Sequence, residues 1–170
     1  MSKVLSLLTR EAAAAAACLI LSELDYCDNL LGGLPQTQIK RLQAVQNAAA
    51  RVVVRQRKRD RITPTLRQLH WLPVRDRILH KLLSVTYRSV HENLPFYLSE
   101  LIPPYTPSRS LRSASKSFPS VPGPKDCRTK QCGQRAFRYI APSKWNELPG
   151  SIRETDNLFF PINSHAAILS

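Results

Sequence analysis

The pattern of apolar and polar positions predicts a chain built mainly of α-helices. Between Gln36 and Gln56, apolar residues recur at steps of three and four, the spacing of one buried helix face. These positions are Ile39, Leu42, Val45, Ala49, Val52 and Val53. The basic residues of the same stretch fall largely off that face. We therefore predict a helix over 36–56 with separate core and basic sides.

Start and stop signals in the sequence mark the two ends of another helix, which precedes the helix predicted over 36–56. Thr9 is a suitable N-cap, and the alanine-rich stretch behind it has high helix propensity. Gly32 and Gly33, followed by Pro35, are typical stop signals. We therefore predict that the first helix runs from Thr9 to about Leu31.

Prolines mark the boundaries of the next predicted helices. Thr63 is expected to be an N-cap, followed by Pro64 in the first turn of a short helix. Pro73 is expected to open a longer helix that ends near Asn93. The inward positions predicted for these two helices are Leu66, Leu69, Val74, Ile78, Leu82, Val85 and Val90. A further short helix is predicted over 96–101.

The amino-acid composition of the chain changes after residue 102. Prolines, serines and basic residues alternate without a regular period over 103–130, which predicts an extended arm that packs only in places. A last short helix is expected to open at Pro142 and to run through Trp145 and Leu148. The predicted segments are a helical basic region 1–102, an extended arm 103–133, a helical segment 134–157 and a disordered or unrelated tail 158–170. The fold class is therefore mostly α, a small irregular helical bundle with a Pro/Ser/basic extended arm.

The net charge of +13 is concentrated in one stretch. Residues 38–92 contain thirteen Lys and Arg against three Asp and Glu, a balance of +10. Such a stretch favours a polyanionic partner, nucleic acid first and an anionic membrane surface second. The alternative is a solvated surface that only keeps the chain soluble.

Phosphate contact is the chemistry that these residues support. Lysine and arginine neutralise phosphates and release counterions, which gives affinity that depends on salt but not on sequence. The candidate nucleic-acid-binding residues are Arg51, Arg55, Arg57, Lys58, Arg59, Arg61, Arg67, Arg75, Arg77, Arg109 and Arg112. Tyr105 and Phe118 could stack on unpaired bases, but packing of the arm onto the helices is the favoured explanation for both.

No pattern for catalysis is found in the sequence. Two-metal polymerisation needs converging carboxylates, and no two aspartates are adjacent. Neither a Gly-x-Ser-x-Gly motif nor a phosphate-binding glycine loop occurs, and the four cysteines and four histidines lack metal-ligand spacing. We predict free thiols, and no enzyme, metal, cofactor or small-molecule ligand. The apolar run 12–21 falls far short of the roughly twenty residues of a membrane span, so no membrane is expected as partner.

A series of local motifs carries a family resemblance. The motifs are, in order, Leu24–Cys27, Leu42–Arg51, Ile62–Pro64, Leu69–Pro73, Tyr105–Arg109, Gly133–Phe137 and Ala141–Pro149. Together they resemble the region that follows the polymerase core in the reverse transcriptases of LINE-type (non-LTR) retrotransposons. The resemblance covers roughly Leu19 to Asn157, and no single motif carries it alone.

The resemblance implies a thumb-like, post-polymerase region for 1–102 that helps to hold template RNA and target DNA. It carries over best to Arg51, to 57–61 and to Arg109, whereas 69–73 and 141–149 carry over as scaffold. We therefore expect a non-catalytic reverse-transcriptase fragment that binds RNA or DNA through the phosphate backbone. The missing polymerase core is a further possible partner, and an intracellular location, cytoplasm or nucleus, is favoured. The alternatives are a decayed relic without activity and a co-opted helical protein-interaction module.

Overall fold

The computed structural model describes residues 9–106, 118–123 and 135–153. Within these ranges the chain is mostly helical and contains no β-strand, so the predicted mostly α class is confirmed. The helices are α1 (Arg10–Leu31), α2 (Gln36–Val54), α3 (Thr63–Gln68), α4 (Val74–His91), α5 (Phe96–Ser99), α6 (Phe137–Asn146) and α7 (Gly150–Arg153). The chain forms two compact units that divide between Leu79 and His80, inside α4. The four segments predicted from the sequence, 1–102, 103–133, 134–157 and 158–170, do not follow this division into two units, and they stay predictions.

The predicted limits of α1 are confirmed at both ends. The hydroxyl of Thr9 accepts a hydrogen bond of 3.2 Å from the backbone N–H of Ala12, which satisfies one free donor of the first turn. The helix ends at Leu31, and Gly33 adopts a positive φ of 71°. Glycine takes this conformation without the steric cost of a Cβ atom, so the chain can turn there into α2.

The core of the first unit lies between α1, α2 and the start of α4. Its buried residues are Leu21, Leu24, Val74 and Ile78, with Ile39, Leu42 and Trp71 packed against them. An ion pair adds to this packing, because Nη1 of Arg77 lies 3.1 Å from Oδ1 of Asp25. α4 is thereby joined to α1 by both apolar and charged contacts.

The predicted buried face of α2 is wrong at one position. Val45 is 48% exposed, whereas its neighbour Gln46 is fully buried. Gln46 Nε2 donates to the carbonyl of Leu72 at 2.8 Å, and its Oε1 accepts from Gln43 at 2.8 Å. The amide is therefore hydrogen-bonded at both ends, which makes its burial acceptable. α2 also ends at Val54, two residues before the predicted limit.

Two other predicted boundaries differ by small amounts. Thr63 is the first residue of α3, not its cap, because Ile62 occupies the capping position without a side-chain hydrogen bond. Pro142 lies inside α6, which begins at Phe137. A proline there cannot donate to the carbonyl four residues back, that of Arg138, but Arg138 is exposed to water. Pro142 itself is fully buried, so packing holds it in the helix.

The second unit has its own apolar core. Leu82, Ile102 and Ala141 form its buried centre, and Val90, Phe137 and Ile140 pack against it. Trp145 is 1% exposed, with its ring 6.2 Å from that of Tyr87. Of the predicted inward positions, Val85 and Val90 are only half-buried.

The described ends of the predicted arm are paired with each other. Tyr105 N–H donates to Phe118 O, and Ser120 N–H donates to Pro103 O, both at 2.8 Å. Asn146 Nδ2 of α6 donates to Pro119 O at 3.1 Å, which fixes this pair on the helix. The arm is therefore held by hydrogen bonds at 103–105 and 118–120. The rest of it and the tail 158–170 lie outside the described residues.

Candidate functional site

A groove runs along one side of α2 and continues into the loop that follows it. Its volume is about 870 Å³. We call it the basic groove; it is lined by Ala44, Asn47, Ala48, Arg51, Val52, Arg55, Gln56, Arg57, Lys58 and Arg59. Five of the predicted nucleic-acid-binding residues therefore line one concave surface.

The end of α2 turns the chain towards this groove. Arg55 follows the helix in the left-handed conformation, with φ 55° and ψ 35°. Its N–H donates to Val52 O at 3.3 Å, and the N–H of Gln56 donates to Arg51 O at 3.0 Å. These two bonds form a Schellman motif, in which a residue of positive φ closes the last turn of a helix. The cations that follow are thus placed beside α2.

Further hydrogen bonds hold the loop after α2. Oδ2 of Asp60 accepts from the N–H of Arg57 at 3.1 Å, and the N–H of Asp60 donates to Arg57 O at 3.2 Å. The side chain of Gln56 donates to Arg61 O at 3.3 Å and accepts from the hydroxyl of Thr65 in α3. The basic loop is therefore anchored both within itself and to the next helix.

The cations of the groove differ in exposure. Arg57, Lys58 and Arg59 are exposed, and within the described ranges none of them takes part in an ion pair. Arg51 is half-buried, and its Nε atom is buried without a hydrogen-bond partner among the described residues. Asp60 is the only acidic residue of the loop 55–61, and its carboxylate already binds a backbone N–H. At Arg57, Lys58 and Arg59 the groove therefore presents positive charge that is not paired with a carboxylate of the described residues.

The remaining predicted cations lie outside the lining of the groove. Arg61, Arg67 and Arg75 are exposed on the loop, on α3 and on α4. Arg77 is half-buried, and its contact with Asp25 is an ion pair, not an aligned hydrogen bond. A paired guanidinium between two helices acts first as a structural contact. Arg109 and Arg112 lie outside the described residues.

The two aromatic residues of the arm are placed differently. The guanidinium of Arg153 lies 4.2 Å from the centre of the Phe118 ring, a cation–π contact. Packing, the favoured explanation for Phe118, is thereby confirmed. Tyr105 is 54% exposed.

Sequence reasoning missed the apolar part of the groove. Ala44, Ala48 and Val52 are four residues apart and so lie on one face of α2. The signal was present as a row of small residues at helical spacing. Ala44 and Ala48 were not among the positions to which the sequence patterns assigned a role.

A metal site and a membrane-spanning helix are both missing from the part of the chain that the structure describes. Among the described residues, no three His, Cys, Asp or Glu side chains are grouped as a metal site. Cys18 is an exposed free thiol; the side chains of Cys27, Cys127 and Cys132 lie outside the description. None of the described helices combines the length and hydrophobicity that crossing a bilayer requires.

Comparison of the chain with protein-family models, curated proteins and solved structures gives no match. The resemblance to LINE-type reverse transcriptases therefore stays a prediction from the sequence motifs.

Proposed function

We propose that the chain is a non-catalytic nucleic-acid-binding module, similar to the region after the polymerase core of LINE-type reverse transcriptases. The observation that supports this proposal best is the basic groove, where five cations converge. By this proposal the groove binds RNA or DNA through phosphates, without reading sequence. The polymerase core of such an element is a further proposed partner.

The cations of the groove are of a kind that suits phosphate groups. Arginine presents a planar fork of donors that matches phosphate oxygens, and four of the five cations are arginines. Each phosphate contact releases counterions, so affinity should fall steeply with salt. Because the loop is anchored by Asp60 and Gln56, less ordering is needed when the ligand binds.

The test is fluorescence anisotropy of the full chain with structured RNA, single-stranded RNA and duplex DNA across a salt series. Replacing Arg57, Lys58 and Arg59 by glutamine should weaken binding to all three. It should also lower the slope of log affinity against log salt by about 2 to 3, since each lost phosphate contact contributes about 0.7–0.9.

The matched control removes three exposed cations of the second unit, Lys81, Arg88 and Arg138, also by glutamine. Both variants lose the same charge, so a general attraction to the chain would affect them equally. We expect the control to keep most of the salt slope. Equal losses in both variants would show that net charge and not the groove is responsible. No binding by the unmodified chain at low salt would overturn the proposal.

A protein-interaction module is the second candidate, favoured by exposed apolar side chains around α5. These are Leu94, Phe96, Tyr97, Leu101 and Tyr105, each at least 38% exposed. Exposed apolar surface of this kind is common at protein interfaces. This candidate predicts no affinity for nucleic acid, together with concentration-dependent association in sedimentation velocity that Phe96→Ser abolishes.

A further inference from the structure

The basic groove has a chemical feature that phosphate binding alone does not require. Its lining includes Ala44, Ala48 and Val52 on one face of α2, beside the cations. Phosphate groups gain nothing from contact with methyl groups. An occupant that fits the whole lining therefore carries both negative charge and an apolar surface.

A nucleic-acid duplex provides the negative charge but not the apolar surface. Its phosphates and sugars lie outside and the faces of its bases are stacked inside, so a duplex offers the cations its phosphates but offers the apolar side chains no free base face. An unpaired strand offers base faces as well as phosphates. The volume of about 870 Å³ also suits one or a few nucleotides, since pockets for small ligands span about 300–1,000 Å³.

We infer that the basic groove takes unpaired nucleotides, with base faces against Ala44, Ala48 and Val52 and phosphates on Arg57, Lys58 and Arg59. The chain therefore prefers single-stranded to duplex nucleic acid. This inference rests on the proposed function, and it adds the class of nucleic acid that the site selects.

The first experiment separates bases from phosphates. Anisotropy of the full chain is measured at one salt concentration with single-stranded RNA, a duplex of equal length, and a strand of equal length without bases. We expect the duplex and the baseless strand to bind about tenfold more weakly than the single strand. Equal affinity for all three would overturn the inference and leave the proposed function intact.

The second experiment fills the groove without changing its charge. Ala48 is exposed on α2, so Ala48→Leu should fold and place a larger side chain in the groove; Ala44→Leu is a second variant of the same kind. Ala16→Leu, at an exposed alanine of α1, is the matched control.

Filling should reduce single-strand affinity about tenfold, to the level of the baseless strand, and leave duplex affinity and the control within about twofold. Helix content by circular dichroism confirms that each variant folds. If both groove variants leave single-strand affinity unchanged, or lower duplex affinity as much, the inference is wrong. Absence of binding to every probe would instead overturn the proposed function, and the inference with it.

Discussion

The left-handed backbone of Arg55 makes one residue responsible for both stability and charge in the basic groove. A residue with a Cβ atom is strained at φ 55°, by about 1–2 kcal/mol, and glycine is not. Arg55→Gly and Arg55→Ala remove the same guanidinium, but only glycine removes the backbone strain. We expect the glycine variant to be more stable than the alanine variant by about 1 kcal/mol in urea unfolding.

The two variants should bind nucleic acid equally, because both keep the Schellman hydrogen bonds and both lose one cation. The salt slope of each variant should fall by about 0.7–0.9, the contribution of one phosphate contact. If alanine were as stable as glycine, the left-handed cap would not be the conformation of Arg55 in solution.

His80 predicts a pH dependence of stability in the second unit. Burial lowers the pKa of His80 below its ordinary value of 6.5, and the neighbouring charge of Lys81 lowers it further. The unfolded chain therefore binds a proton near pH 6.5, and the folded chain binds it only at lower pH. Between these two pKa values the unfolded state holds more protons, so the free energy of unfolding falls as the pH decreases below about 6.5.

The measurement is urea unfolding of the chain and of His80→Gln between neutral and mildly acidic pH. The unmodified chain should lose more stability than the variant as the pH falls below 6.5, and above 6.5 the two stabilities should change in parallel. Parallel curves at all pH values would show that His80 is solvated when the chain is folded.

At the scale of elements, a pair of glutamines joins α2 to the start of α4. Oε1 of Gln43 accepts from the N–H of Val74 at 2.8 Å, which caps the first turn of α4 from another helix. Gln43 also donates to Gln46, which in turn donates to Leu72 O. α2 therefore orients α4 through hydrogen bonds as well as through apolar packing.

We expect Gln46→Met to destabilise the chain by about 1–3 kcal/mol. Methionine matches the shape of glutamine but leaves the part-buried carbonyl of Leu72 without its donor. Val45→Ala, at the exposed neighbouring position, should change stability by less than about 0.5 kcal/mol. Chemical unfolding measures the loss of stability in both variants. A larger loss for Val45→Ala than for Gln46→Met would support the apolar face predicted from the sequence.

The comparison of α1 with α2 explains which elements could be predicted. The limits of α1 depend on Thr9 and on the glycines after Leu31, signals that act within a few residues. The buried side of α2 depends on Gln46, whose partner is a backbone carbonyl 26 residues away. Hydrophobic periodicity assigns valine and not glutamine to a buried face. It takes no account of a hydrogen-bond acceptor so far away in the sequence. Local signals were therefore sufficient for boundaries but not for the buried face.

The same distinction holds for the candidate site. The cations were identified from sequence because charge is visible residue by residue. That five of them line a groove depends on the positive φ of Arg55. The presence of an arginine in the sequence does not predict this backbone conformation. The pairing of Arg77 with Asp25 likewise joins residues 52 positions apart in the chain and assigns one candidate cation to a structural contact. The sequence thus predicted which cations belong to the site but not how they are arranged in space.

At the scale of the whole molecule, the decisive question is whether the chain unfolds cooperatively. A decayed relic would have lost the packing that makes unfolding cooperative. Each unit contains one of the two tryptophans: Trp71 packs against the core of the first unit, and Trp145 is buried in the second. Trp145→Phe and Trp71→Phe therefore each leave a fluorescence reporter for one unit.

We expect one cooperative transition, with fluorescence and far-ultraviolet circular dichroism coinciding within each variant. The reason is α4, whose residues Val74 and Ile78 are buried in the first unit while Leu82 is buried in the second. Helix formation is cooperative, and the six residues of α4 that belong to the first unit, 74–79, are too few to persist as a separate helix. Loss of either core should therefore unwind the helix on which the other depends. Separate midpoints would show two independent units, and a gradual drift without a transition would support the relic.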